Sequence, residues 1–160
     1  PLESKLLITR QALEILTQHN CAINVLTKGG YIACHDFDIL KTNPLNWFGV
    51  TLTYVDSFTS NECEPEAAFP LARIESLQYA KRAGINTWIS FEPILHPSAV
   101  LGMIRATMDF CDLYKIGKLN HHPGKGPSDD ELREFLKEAV ELLKANKKAY
   151  YIKLDTQPYL

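Results

Sequence analysis

Residues 84–93 read Gly84-Ile85-Asn86-Thr87-Trp88-Ile89-Ser90-Phe91-Glu92-Pro93. Gly84 is a helix stop, since a residue without a Cβ readily takes the backbone conformation found just past a helix end. Asn86 to Phe91 is short, apolar and rich in β-branched and aromatic residues, the composition of a buried strand. Glu92-Pro93 ends that strand. Ser98 then caps a helix through about Met108, and Leu113 to Leu119 makes another strand. Two strands separated by a helix-length crossover describe a parallel βαβ unit, because parallel neighbours need a connection of a dozen or more residues.

The same alternation runs outward in both directions. Upstream, Leu6, Ile8, Ala12, Leu13, Ile15 and Leu16 recur at roughly helical spacing between Ser4 and Gln18, predicting a surface helix on a core. A strand is expected over Ala22–Thr27, closed by Lys28-Gly29-Gly30, and a brief helix over Ile32–Leu40. A further strand is expected over Trp47–Thr53, a polar loop over Asp56–Glu66 and a helix from Phe69 to Ala83. Downstream, Ser128-Asp129-Asp130-Glu131 forms a capping box for a helix to about Ala145, and Tyr150–Leu154 makes the fifth strand. Helix and strand alternate five times, so the sheet is parallel and the fold class is α/β. No GxGxxG or P-loop sequence follows any strand. Polar residues gather instead where strands finish, as in barrels whose active sites sit at the C-terminal strand ends. The expected architecture is a partial TIM-like (β/α) barrel occupying residues 1–160 as one domain.

Composition narrows the function classes. The 160 residues are 46% hydrophobic, enough for one globular core, and 17 Lys and Arg against 19 Asp and Glu leave a net charge of -2. Such a balance gives no broad cationic field for nonspecific nucleic-acid or membrane binding. No apolar run approaches the roughly 20 residues that cross a bilayer, and no signal pattern opens the chain, so a cytoplasmic location is expected. Cys21, Cys34, Cys63 and Cys111 lack CxxC spacing and read as free thiols. The first residue is Pro1 rather than Met, which gives the expectation of a chain entered partway through.

The strand-end residues supply the candidate chemistry. Lys28 offers an ammonium to a carboxylate or phosphate, or is a surface lysine. Thr51 and Thr53 alternate with Val50 and Leu52, so their hydroxyls share one face, which in a barrel is the interior. Glu92 closes an apolar strand, where a carboxylate is costly unless paired or set at a wet mouth. Ser90 lies on the same strand. Lys115-Ile116-Gly117-Lys118-Leu119-Asn120 alternates too, and Gly117 would allow a ligand or backbone to approach closely. Lys118 and Asn120 sit nearest the strand end, either facing a substrate or serving as an exposed charge and a turn residue. Arg73, in the first turn of its helix, reaches into the mouth or lies on the surface. His121-His122 face opposite ways on an extended segment without ligand-spaced partners, so no metal site is expected there.

In order along the chain, these motifs resemble the radical S-adenosylmethionine (radical SAM) superfamily, in particular its spore photoproduct lyase-like, DNA-repair photolyase-like group. The carrying residues are Pro1-Leu2-Glu3, Thr9-Arg10-Gln11-Ala12-Leu13-Glu14, Val25-Leu26-Thr27-Lys28, Gly49-Val50-Thr51-Leu52-Thr53, Glu64-Pro65 with Arg73, Gly84-Ile85, Ser90-Phe91-Glu92-Pro93-Ile94-Leu95, and Lys115 to Asn120. The resemblance implies a six-stranded partial barrel in which CxxxCxxC, after the first strand, holds a [4Fe-4S] cluster. SAM bound there is cleaved reductively to a 5′-deoxyadenosyl radical. This sequence contains no CxxxCxxC, although thiolates hold such clusters. Its opening resembles the segment after the family's second strand, so the expectation is a C-terminal portion of the barrel, inactive alone, in a parent that acts on an unknown substrate, nucleic acid included.

Carried over residue by residue, the resemblance pairs Lys28 with the SAM carboxylate and gives Thr51 a cofactor hydrogen bond, with Thr53 beside it. Arg73 becomes a second candidate for the methionyl carboxylate. Ser90 and Glu92 border adenosine or substrate, and Lys118 and Asn120 face the substrate side. Gly29 stands where the family commonly has Ser. Two other readings stay open: a lyase or aldolase using Lys28, Lys115 or Lys118 as an amine nucleophile, and a non-catalytic module that binds a small ligand or serves as a scaffold. A barrel lacking its first strands exposes an edge, so a homodimer or other association through that edge is also expected.

Overall fold

A computed structural model describes residues 3–120 and 126–160. His121-His122 therefore lie outside the described residues. Five strands form one parallel sheet: β1 (Asn24–Thr27), β2 (Trp47–Thr51), β3 (Asn86–Ile94), β4 (Leu113–Lys118) and β5 (Ala149–Ile152). Their spatial order is β1-β2-β3-β4-β5. Strand order that follows chain order, with helical crossovers, is the arrangement of a (β/α) barrel segment; a doubly wound sheet reverses order at a switch point.

The helices are α1 (Glu3–Leu6), α2 (Ile8–Gln18), α3 (Phe37–Leu40), α4 (Ser57–Cys63), α5 (Pro70–Arg82), α6 (Pro97–Thr107) and α7 (Asp129–Ala145). Of these, α5, α6 and α7 pack on one face of the sheet. Phe48, Val50, Leu52, Ile89, Phe91, Tyr114, Ile116 and Ile152 pack there against Leu77 of α5, Ile104 of α6 and Leu136 of α7. Period-2 alternation sends the intervening residues to the opposite, inner face. In register across it lie Leu26 and Gly49, Gly49 and Trp88, Thr51 and Ser90, Ser90 and Lys115, and Lys115 and Tyr151.

Several boundaries differ from the sequence expectation for identifiable reasons. The Asp56–Glu66 stretch is not a loop: Asp56 accepts from the Thr59 amide at 2.7 Å and so caps α4. Strand β3 continues past Glu92 to Ile94; the Glu92-Pro93 peptide is cis and the register against β4 shifts between Phe91 and Ile94. Ser98 does not cap α6, which begins at Pro97 after His96. Leu7, at φ 51, separates α1 from α2. The expected apolar face of α2 buries only Leu13, while Ile8, Ile15 and Leu16 remain exposed. The expected capping box is present, with Ser128 and Glu131 each accepting from the other's amide.

Candidate functional site

The sheet carries two separate polar groupings, one at its C-terminal strand ends and one along its inner face. The first joins the ends of β1 and β2 to α4 and α5. Arg73 is almost wholly buried, at 1% exposure. Its guanidinium donates to the Ala68 carbonyl at 2.6 Å, the Thr51 carbonyl at 3.0 Å and Glu64 Oε2 at 2.6 Å. Glu64 also accepts from Lys28 Nζ at 2.7 Å through its other oxygen. One carboxylate thus bridges two cations. Burial pushes the Glu64 carboxyl up, but the hydrogen bonds from Lys28 and Arg73 outweigh burial and hold it below its ordinary value. The Ala68 amide donates to the Lys28 carbonyl at 2.9 Å, tying the loop before α5 to the end of β1. Arg73 is therefore an internal tie rather than a free arm at the mouth. Lys28 is the exposed member, with 43% of its side chain open to solvent.

The second grouping lies on the inner face between β3, β4 and the residue after β5. Trp88 is buried at 5% exposure, and its indole lies over Gly49, where an added Cβ would fall 2.3 Å from the ring. Lys115 Nζ stands 3.7 Å from the Trp88 ring centroid. Glu92 ion-pairs with Lys153, and both side chains crowd Gly117, where an added Cβ would sit 2.9 Å from Lys153 Cδ. The close approach that Gly117 permits is thus made by these two side chains. Burial, then repulsion from Lys153, lowers the Lys115 pKa.

Two buried polar atoms have no hydrogen-bond partner among the described residues: Thr53 Oγ1 and Trp88 Nε1. Buried hydroxyls are ordinarily satisfied, so the Thr53 orphan, just past the end of β2, marks a place where a ligand atom would relieve a cost. Thr51 and Ser90 are buried neighbours in register.

The remaining candidates fall elsewhere. Lys118 alternates with Gly117 to the helix side of β4. Its ammonium lies 5.1 Å from the Tyr159 ring centroid and 3.4 Å from the Tyr159 hydroxyl, and its amide donates to Thr156 Oγ1. Asn120 donates to Asp155. Both belong to contacts with the C-terminal segment. Trp88 and Lys153 are residues of this grouping that the sequence expectation omits. Trp88-x-Ser90-x-Glu92 and Tyr151-x-Lys153 carry the alternation that places them inward.

A cavity of about 440 Å³ adjoins the first grouping, between α2, the end of β1 and the loop before α5, lined by Leu13, Val25, Thr27, Gly29, Phe48 and Ala68. Cys21, Cys34, Cys63 and Cys111 sit on separate parts of the fold, and no three potential metal-ligating side chains come together among the described residues. The chain's own residues do not fit a [4Fe-4S] cluster. No helix among the described residues is long and apolar enough to cross a membrane.

No protein-family model matches the sequence, and no curated protein matches it. Among solved structures, the fold is similar to Streptococcus suis SuiB bound to S-adenosylmethionine, with a TM-score of 0.71, 12% identity, and coverage of 90% of this chain and 36% of SuiB. SuiB bound to the precursor peptide SuiA gives 0.70, 12%, 90% and 34%. The chain thus spans about a third of SuiB's length. At this identity the likeness establishes the shared (β/α) fold.

Proposed function

We propose that the C-terminal side of this sheet binds S-adenosylmethionine, as part of a radical SAM-type barrel. The observation that carries the reading is the convergence of Lys28, Thr51 and the unpartnered Thr53 hydroxyl at adjoining strand ends, in a fold whose similar structure SuiB binds that ligand. Lys28 supplies the ammonium for the ligand's carboxylate; being the exposed end of the Lys28–Glu64–Arg73 tie, it is held in place without being neutralised, since two cations share one carboxylate. Thr51 and Thr53 supply hydroxyls, and Ser90 and Glu92 lie one strand further on. Arg73 acts from behind, by positioning Glu64 and the end of β2.

A [4Fe-4S] cluster would need thiolates that this chain does not bring together among the described residues. The chain's part is binding and orientation. For a second ligand, the support runs to a peptide, which SuiB binds, more than to nucleic acid, for which the net charge of -2 offers no attracting field.

Isothermal titration of SAM into the chain tests the reading. Lys28→Ala is expected to weaken binding about tenfold or more, the loss of one charge-assisted contact of roughly 1.5–3 kcal/mol. Absence of binding at millimolar SAM, or equal affinity in Lys28→Ala, would overturn it.

A further inference from the structure

We propose that the cavity of about 440 Å³ between α2 and the end of β1 binds a small apolar amine, with the ammonium held by Asp36. The apolar part of the cavity is made by the ordinary packing of the sheet. Val25 of β1 and Phe48 of β2 are partners in register on the helix side, and Leu13 of α2 and Leu40 of α3 line the same space. Leu13, Leu40 and Phe48 are at most 5% exposed, so they form its floor. Thr51 and Ser90 lie on the opposite face of the sheet, so this site stands or falls apart from the SAM reading.

Close-packed cores leave few voids larger than a water molecule. Here the space has the size of a small-molecule site, which runs from roughly 300 to 1,000 Å³. Its charged lining residues are Glu3, Asp36 and Glu66, all carboxylates, with no lysine or arginine beside them among the described residues. Glu3 accepts from the Thr9 amide at 2.8 Å, which leaves its charge in place. A floor of apolar side chains under a lining of one charge sign selects a ligand with an apolar body and a cationic head.

Asp36 fixes where that head goes. It is buried, at 9% exposure, where a carboxylate is costly unless it is paired. Arg10 Nη1 reaches Asp36 Oδ1 at 3.4 Å but binds Asp38 more closely, with contacts of 2.9 and 2.7 Å to its two oxygens. His35 Nδ1 meets the same Asp36 Oδ1 at 3.0 Å. Asp36 Oδ2 accepts no hydrogen bond among the described residues, so one oxygen of a buried carboxylate lacks a donor. An ammonium is that donor, and the rest of the ligand then takes Leu13, Val25 and Phe48 out of water. A polyamine would suit the carboxylates but not the floor, and an acidic ligand would meet three like charges.

The test is isothermal titration of the chain with tryptamine and with tryptophol, which has a hydroxyl in place of the amine. Tryptamine is expected to bind with a Kd of about 1 mM or tighter, and tryptophol at least about tenfold more weakly, the worth of one charge-assisted hydrogen bond. Asp36→Asn, which keeps the size of the side chain, should bring the two affinities together. Ala33→Phe, which fills the cavity from its wall, should abolish tryptamine binding. Tryptophol binding as tightly as tryptamine, spermidine binding more tightly than tryptamine, or tryptamine binding more weakly than about 1 mM each overturns the proposal. The parent chain alone decides these outcomes even if both variants misfold.

Discussion

Lys28 and Lys115 serve the same sheet under opposite electrostatic terms. Lys28 stands beside a carboxylate that also holds the buried Arg73, so its position is fixed while its charge is only partly compensated. Lys115 rests on an indole with another lysine nearby and no carboxylate of its own among the described residues. The first arrangement holds its lysine through a shared carboxylate; the second holds its lysine through an aromatic face. One fold thus places two lysines under different contacts, and the difference lies in what each is packed against.

The sharpest way to break the Lys28 side is to remove its carboxylate. Glu64→Ala leaves Arg73 buried and unpaired, which is expected to cost about 3–5 kcal/mol in urea unfolding. The same contact sets an acid limb. The folded Glu64 carboxyl is held below its ordinary 4.5, so its contribution is present above that value and is lost as pH falls through the lower, folded pKa. Thermal midpoints of the parent should therefore fall more steeply than those of Glu64→Gln below about pH 4.5.

On the Lys115 side, Gly49→Ala drives a methyl group into the Trp88 ring and should cost about 1–3 kcal/mol, with a changed Trp88 fluorescence spectrum. Thr53→Val replaces an unpartnered hydroxyl with a methyl of similar size. It should leave the free chain as stable or up to about 1 kcal/mol more stable by thermal denaturation, while weakening SAM binding. The smallest stability effect belongs to Lys28→Ala, about 0.5 kcal/mol in the same assay, because its partner keeps Arg73 and the lysine is largely exposed. A loss above about 2 kcal/mol there would show that the two halves of the tie are not separable.

Much of this organisation is legible from pattern alone. The βαβ unit around Asn86–Phe91 implies a parallel sheet, and the alternation of Thr51 and Ser90 with core residues puts them on one face. Boundaries shift where local chemistry outweighs composition: the polar Asp56–Glu66 stretch carries its own cap in Asp56 and becomes α4, and β3 passes through a proline that reads as a stop. Arg73 stands out in the sequence, but its burial depends on Glu64, nine residues earlier, and on the Thr51 carbonyl, contacts that no periodicity encodes. Lys118 departs from its expected place for a simpler reason. Its strand neighbour Lys115 has the opposite parity, and parity sends Lys115 inward and Lys118 to Tyr159.

The edge of β1, unpaired among the described residues, and the exposed Ile8, Ile15 and Leu16 of α2 are what we propose as a surface for self-association. Sedimentation should then show a concentration-dependent rise above the monomer mass.

Amide chemical-shift mapping of the isotope-labelled chain on addition of SAM tests the central claim most directly. The account predicts perturbations concentrated at residues 27–29, 51–53 and 88–92, with little change around Lys118 and Tyr159. Perturbations confined to the Lys118–Tyr159 side or to the outer helices, or none at millimolar SAM, would contradict it.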